Sequence, residues 1–329
     1  MYIKNKRPVK PDGFTLMELL VVIAIIMMLV GILAPGLKNF KDHARRLKQK
    51  SNIRNAEIGL ELYYERFKHY PDSAYVNVYG SSGKVVCGAQ HLAEALVGRD
   101  ERGFDPETKW HEADESLAAL GVSLYDSDTS TTDGEDSMAR RRGPYIEYRD
   151  TGAYLLEQLY DPTYLSAVTY NGKTLLSGDT ASSDTDGSKR APVITDVFST
   201  RVDGMKVKVG TPIVYFRSNP KYSYHYDEDK DDFSTLTEDD IKKWRYNYYD
   251  NAWIFKLPYL KDPEDTGKRH LYDEAYTDPD TNKTGVQLFY EDITNYSANY
   301  PKPHNEHTYI IISAGTDGIF GTKDDVKNF

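Results

Sequence analysis

The sequence predicts an α+β fold: one long amino-terminal helix followed by a body built on an antiparallel sheet with large loop insertions. Three observations predict it. An apolar run from Phe14 to Ala34 passes into a stretch, Leu37 to His69, in which only Gly59 disfavours a helix. Runs rich in β-branched and aromatic residues follow, at "APVITDVFST", "MKVKVGTPIVYFRS" and "HTYIIISAG". Polar low-complexity segments at Asp126 to Asp136 and Ser177 to Ser188 read as loops.

The elements follow in chain order. The first residues are basic, with Lys4, Lys6, Arg7 and Lys10 against Asp12. At 1.5 Å per residue the run from Phe14 to Ala34 would rise about 31 Å, against roughly 30 Å of hydrocarbon in a bilayer. Glu18 is the one charged residue in it, and an acid in lipid needs a partner. A secretory signal would have a shorter apolar part and a small-residue cleavage site, whereas Pro35 follows Ala34 here. Beyond the run, Leu37, Phe40, Ala44 and Leu47 share one helix face, which Ile58, Leu62 and Phe67 resume, and core packing is expected of it. Pro71 in "HYPDS" ends the helix. Further helices are expected at Gln90 to Asp100, at Ala113 to Gly121, and after Thr237, where Asp240 completes a capping box.

Composition excludes several classes. The 329 residues carry a net charge of -10, which speaks against nucleic acid as a partner. One cysteine, Cys87, permits no intrachain disulfide and no thiol-rich metal centre. No nucleophile elbow, phosphate loop or dinucleotide fingerprint occurs. His304 and His307 beside Glu306, and His111 in "HEADE", lack the spacing of a zinc site and read as surface histidines. The tyrosine clusters "KYSYHYDED" and "WRYNYYDNAWIFKLPYL" could form a glycan platform, but packed aromatic pairs explain them better.

A basic leader ending in Gly13, followed by "FTLMELLVVIAII" and Pro35, resembles the amino terminus of type IV prepilins and type II secretion pseudopilins. That resemblance covers residues 1 to about 70. It implies a pilin-like fold, with residues 1–13 a leader cleaved by prepilin peptidase and 14–35 a transmembrane and filament-core helix. Residues 36–70 would continue the helix, and 71–329 would form an extracytoplasmic domain. Gly13 would be the last leader residue and Phe14 the processed, methylated one. Glu18 would pair with a neighbouring subunit's terminal amine, and Pro35 would be the family's kink. The expected partners are prepilin peptidase, copies of the chain and other pseudopilins, and an inner-membrane assembly platform. The expected location is the inner membrane, single-pass, with the body in the periplasm. Charge counting alone favours the opposite orientation, because Lys38, Lys41, Arg45, Arg46, Lys48, Lys50 and Arg54 outnumber the leader's cations.

The carboxy-terminal stretch "SAGTDGIFGTKDDV" is similar to the calcium loop of major type II pseudopilins. Asp317, Asp324 and Asp325 are hard oxygen donors around Gly318 and Gly321 and suit Ca²⁺. The acidic run Asp227 to Glu238 has part of an EF-hand spacing but lacks its glycine, and reads as a solvated loop. The functional expectation is a structural pseudopilin and not an enzyme. A minor pilin or tip subunit binding glycan or cargo, and a membrane-anchored exoenzyme, are the alternatives.

Overall fold

The computed structural model describes residues 14–81, 83–111, 123, 125–146, 152–178, 190–198, 200–201, 208–222, 233, 236–262, 264–265, 267–297 and 301–329; within these, the side chains of 32–39, 200–201 and 208 are not described. The helix expected at Ala113 to Gly121 and most of the run Asp227 to Glu238 lie outside them.

Helix α1 runs without interruption over Leu16–Phe67. Strands β1 (Val76–Asn77) and β2 (Lys84–Val86) lead to α2 (Gly88–Val97) and α3 (Thr132–Arg140). Next come β3 (Ala153–Leu155), α4 (Leu156–Leu159), α5 (Pro162–Ala167) and β4 (Thr174–Leu175). Strands β5 (Pro192–Ile194), β6 (Thr200–Arg201), β7 (Lys208–Val209) and β8 (Val214–Arg217) precede α6 (Glu238–Ile241) and α7 (Ala252–Phe255). The chain closes with α8 (Gly285–Asp292), β9 (Thr294–Asn295), β10 (Lys302–Pro303), β11 (Tyr309–Ser313) and β12 (Val326–Lys327). It divides into two units, Met1–Arg45 and Arg46–Phe329.

The second unit is organised by the antiparallel sheet β12-β11-β8. Ile310 pairs with Phe216, Ile311 with Tyr215 and Ile312 with Val214. Successive side chains point to opposite faces of a strand, and here both faces are buried. Val214, Phe216, Ile310 and Ile312 join a core with Trp253, Phe255, Tyr272 and Phe289. Tyr215, Tyr309 and Ile311 join a second core with Ile53, Leu60, Leu92 and Leu96. That two-sided burial explains the unbroken apolar run "YIIIS". Among the named strands described, one pairing departs from the antiparallel expectation, since β2 and β4 are parallel.

Three local expectations need correction. The packed face of α1 is not the stripe Phe40, Leu47, Ile58 and Leu62, which are 71%, 56%, 51% and 44% exposed, although Phe67 does pack, its ring 5.5 Å from that of Phe104. It is Gln49, Asn52, Ile53, Ala56, Leu60 and Tyr63, all buried. Two of these are polar, so a hydrophobicity pattern misses the face; Gln49 Oε1 accepts the Val197 amide at 3.1 Å. Gly59 lies on the same face and lets the helix close in, because a Cβ there would meet Ile146 Cγ2 at 2.8 Å. Secondly, the end of the Asp126 to Asp136 segment is helical: Thr131 caps α3 by accepting the Gly134 amide, and Asp133 and Glu135 occupy the first turn. Thirdly, His111 is buried, beside a bridge between its own backbone and that of Tyr79. The second tyrosine cluster is packed as expected, with Tyr246, Tyr248 and Trp253 fully buried.

Among the described residues no helix is long and apolar enough to cross a membrane. The described side chains of the apolar run end at Gly31, and Leu16 to Gly31 would rise only about 24 Å.

Candidate functional site

The amino-terminal candidates begin outside the described residues, since Gly13 is not among them, while Phe14 is described and 73% exposed. The next turn shows what the acid does. The Thr15 amide donates to Glu18 Oε2 at 2.9 Å and the Thr15 hydroxyl donates to the same oxygen at 2.8 Å. The Glu18 amide returns a bond to Thr15 Oγ1 at 3.2 Å. This reciprocal arrangement is a capping box, which satisfies amides that the first helical turn leaves without partners. A carboxylate in that turn also faces the positive end of the helix dipole. The sequence marks Glu18 by its charge, whereas the signal for Thr15 is the spacing Thr-x-x-Glu before an apolar run. Pro35 lies within α1, which continues past it.

The carboxy-terminal candidates sit in the turn between β11 and β12, whose pairing closes the loop. Gly315, Gly318 and Gly321 have φ of 67°, 78° and 95°. At Gly315 a Cβ would stand 2.3 Å from the Asp324 carbonyl, so the chain passes itself where only glycine fits. Asp324 Oδ2 accepts the amides of Thr316 and Asp317 at 2.6 and 3.0 Å, and its Oδ1 accepts the Thr322 hydroxyl at 2.6 Å. Asp317 Oδ1 accepts the Ile319 amide at 2.8 Å. Asp325 Oδ2 accepts the Gly321 amide at 2.9 Å, while its Oδ1 is buried without a hydrogen-bond partner.

These acids hold protons unequally. Burial and the neighbouring Asp324 push the Asp317 carboxyl above its ordinary value, whereas hydrogen bonds from Thr322, Asp317 and Thr316 hold Asp324 below its own. Burial pushes Asp325 up to about 8. Two cations adjoin the loop: Arg46 Nη2 lies 3.7 Å from Asp324 Oδ2, and Lys261 Nζ donates to the carbonyls of Thr316 and Asp317. The loop is anchored by Phe320, whose buried ring packs on Phe255 and whose amide donates to His270 Nδ1 at 3.1 Å. Among the described residues no group of three or more His, Cys, Asp or Glu is gathered to hold a metal ion. The structure thus brings Asp317 and Asp324 together and leaves Asp325 with one unanswered oxygen.

The remaining candidates form no site. Cys87 is fully buried, and burial raises its thiol to about 12. His304 stacks on Phe329 at 4.5 Å, and His307 is exposed.

Comparison with known proteins bears on the amino-terminal site. The prokaryotic N-terminal methylation motif is matched over residues 10–34. The type II secretion system core protein G of Escherichia coli (strain K12) is 40% identical over 62 residues, which are 19% of this chain and 43% of that protein. The protein of the same name from Pectobacterium carotovorum subsp. carotovorum is 38% identical over 61 residues, 18% of this chain and 39% of its own. That of Klebsiella michiganensis is 41% identical over 59 residues, covering 18% and 42%. The chain spans less than half the length of these curated relatives. No solved structure matches. Motif and relatives agree on one segment: the amino terminus of this chain carries the prokaryotic N-terminal methylation motif and is similar to that of type II secretion system core protein G.

Proposed function

We propose that the chain is a structural, pilin-like subunit of a type II secretion system. Residues 1–13 are removed by prepilin peptidase between Gly13 and Phe14, and the new terminal amine is methylated. The apolar run from Phe14 to Ala34 anchors the subunit in the inner membrane, with residues 71–329 in the periplasm. Copies then leave the membrane and stack through this helix in a filament, with other pseudopilins and an assembly platform. The observation that carries this reading is the methylation motif over residues 10–34, and its support in the geometry is the position of Glu18. The acid is held on its own helix start by Thr15, and in the filament a neighbour's amine would replace the threonine as its partner. Such a buried pair sets register between copies.

Calcium belongs to the same proposal. Asp317, Asp324 and Asp325 would hold it, and their fit rests on the unanswered Asp325 oxygen and the crowded Asp317 and Asp324 pair. When bound, the ion supplies counter-charge that the loop otherwise takes from protons and Lys261.

The test is a tagged chain expressed with prepilin peptidase. Wild type is expected to shorten on a blot and Gly13→Ala to remain at precursor length. Equal processing of the two would remove the peptidase assignment.

A further inference from the structure

A cleft of about 650 Å³ opens in the second unit at the end of β8, between the chain leaving α1 and the segment after α6. Ligand clefts commonly run to roughly 300–1,000 Å³. Its floor is a closed polar network. The Ser73 hydroxyl donates to Asp250 Oδ2 at 2.5 Å and accepts the Arg217 amide at 3.0 Å, and Asn247 Nδ2 donates to Asp250 Oδ1 at 2.7 Å. Burial raises the Asp250 carboxyl to about 7, which halves its charge near neutrality.

The walls carry four cations, Arg217, Lys221, Lys242 and Arg245, in a chain of net charge -10. Two are occupied: Lys242 pairs with Glu238 at 2.5 Å, and Arg245 donates to the Glu306 carbonyl at 2.8 Å. Among the described residues no carboxylate lies within ion-pair distance of Arg217 or Lys221. Tyr222 stands at the rim, 42% exposed, and Trp244 forms a buried wall.

The backbone has little left to offer. The Arg217 amide is bound to Ser73, the Ser218 amide to Thr308 O at 2.9 Å, and the Asn219 amide to Arg245 O at 2.8 Å. An extended peptide adding to this strand end would find its donors taken. What remains among the described residues is a ring face, the Asn219 side chain and the Asp72 carboxylate as hydroxyl partners, and two cations with no acid within ion-pair distance. A ring face meets the C–H surface of a sugar, the polar side chains meet hydroxyls, and a guanidinium meets a carboxylate.

We infer that this cleft binds an acidic saccharide, a sugar ring bearing a carboxylate, with Arg217 and Lys221 on the carboxylate and Tyr222 stacked on the ring. The inference is independent of the assembly reading, since leader processing and filament formation do not enter its test.

The test is calorimetric titration of the full chain in detergent with trigalacturonate, and with neutral galactotriose as control. Trigalacturonate is expected to bind, with galactotriose weaker by about 10-fold or more, a difference of one decade in affinity. The double variant R217Q/K221Q is expected to lose about 10-fold, to keep the wild-type melting temperature, and to lose the salt dependence of binding. Tyr222→Ala is expected to weaken both sugars. Absence of trigalacturonate binding at millimolar concentration, equal binding of the two sugars, or unchanged binding by R217Q/K221Q would overturn the proposal. So would displacement of trigalacturonate by hexaglutamate at equal concentration, which would make the cleft an acidic-peptide site.

Discussion

Thr15 and Glu18 hold each other from both sides: the carboxylate accepts the threonine's amide and hydroxyl at 2.9 and 2.8 Å, and the threonine hydroxyl accepts the Glu18 amide at 3.2 Å. The acid that stands alone in an apolar sequence therefore has a partner within its own turn. It defines where α1 starts before it meets any other chain.

Thr15→Ala removes the capping hydroxyl, a change that costs about 1 kcal/mol at a helix start. Amide hydrogen exchange over residues 16–19 is expected to rise several-fold in Thr15→Ala and to stay near wild type in Thr15→Ser. Unchanged exchange in the alanine variant would remove the capping role.

Glu18→Gln separates capping from charge, because its side-chain oxygen still accepts from Thr15 while the negative charge is gone. Filament yield is expected to fall with Glu18→Gln as far as with Glu18→Ala. Full assembly of the glutamine variant would show that the cap, and not the charge, is what assembly requires.

The carboxy-terminal loop yields a metal prediction. Millimolar calcium is expected to raise the melting temperature of the wild-type chain, with chelator reversing it, and Asp325→Asn is expected to abolish the shift. A shift of the same size in Asp325→Asn would exclude this loop as the site.

Stability should depend on pH through two buried carboxyls outside that loop. Asp196 and Asp250 are raised from 3.8 to about 7, chiefly by burial. Their folded forms hold protons that the unfolded chain has released, so their contribution is complete below pH 3.8 and is lost as pH rises through 7. Each gives a slope of about -1.4 kcal/mol per pH unit between those limits. Buried His270, lowered from 6.5 to about 4, opposes them below pH 6.5. Asp196 accepts from the Phe198 amide and the Ser313 hydroxyl, and Asp196→Asn keeps that shape. Urea unfolding between pH 4.5 and 7.5 is expected to show a shallower decline in the variant. Parallel pH profiles would contradict the assignment.

Gly88 opens α2 against the sheet, and a Cβ there would stand 2.5 Å from the Tyr215 carbonyl and 2.8 Å from Asn251 Nδ2. Gly88→Ala is expected to destabilise by about 1–3 kcal/mol through overpacking. Gly31→Ala, where nothing lies within 4 Å, is the control and should leave the melting temperature unchanged or raised.

The sequence made some of this legible because the signal was local. An unbroken helical stretch, Thr237 three residues before Asp240, and the runs around Phe216 and Ile311 each state their structure in a few neighbouring residues. The packed face of α1 was not legible, because it includes polar Gln49 and Asn52, and Gln49 is buried through a partner more than a hundred residues away, Val197. His111 reads as a surface residue because its burial depends on a bridge to Tyr79, which the residues around it do not state. Thr15 has a local signal, the Thr-x-x-Glu spacing, but it lies in an apolar run where the charge of Glu18 is the feature that stands out. The three acids of the last loop were found by spacing, but their division into a pair and a lone acid depends on how Gly315 folds the chain back.

Gly59 sits where α1 touches Ile146 and Leu96, and Ile53, Leu60 and Tyr63 are buried along the same face. Tension applied along the axis of residues 46–67 would load these contacts in shear, so that they slip together or not at all. The segment is in that sense a tow-bar, and part of its grip is the steric fit of a residue with no side chain.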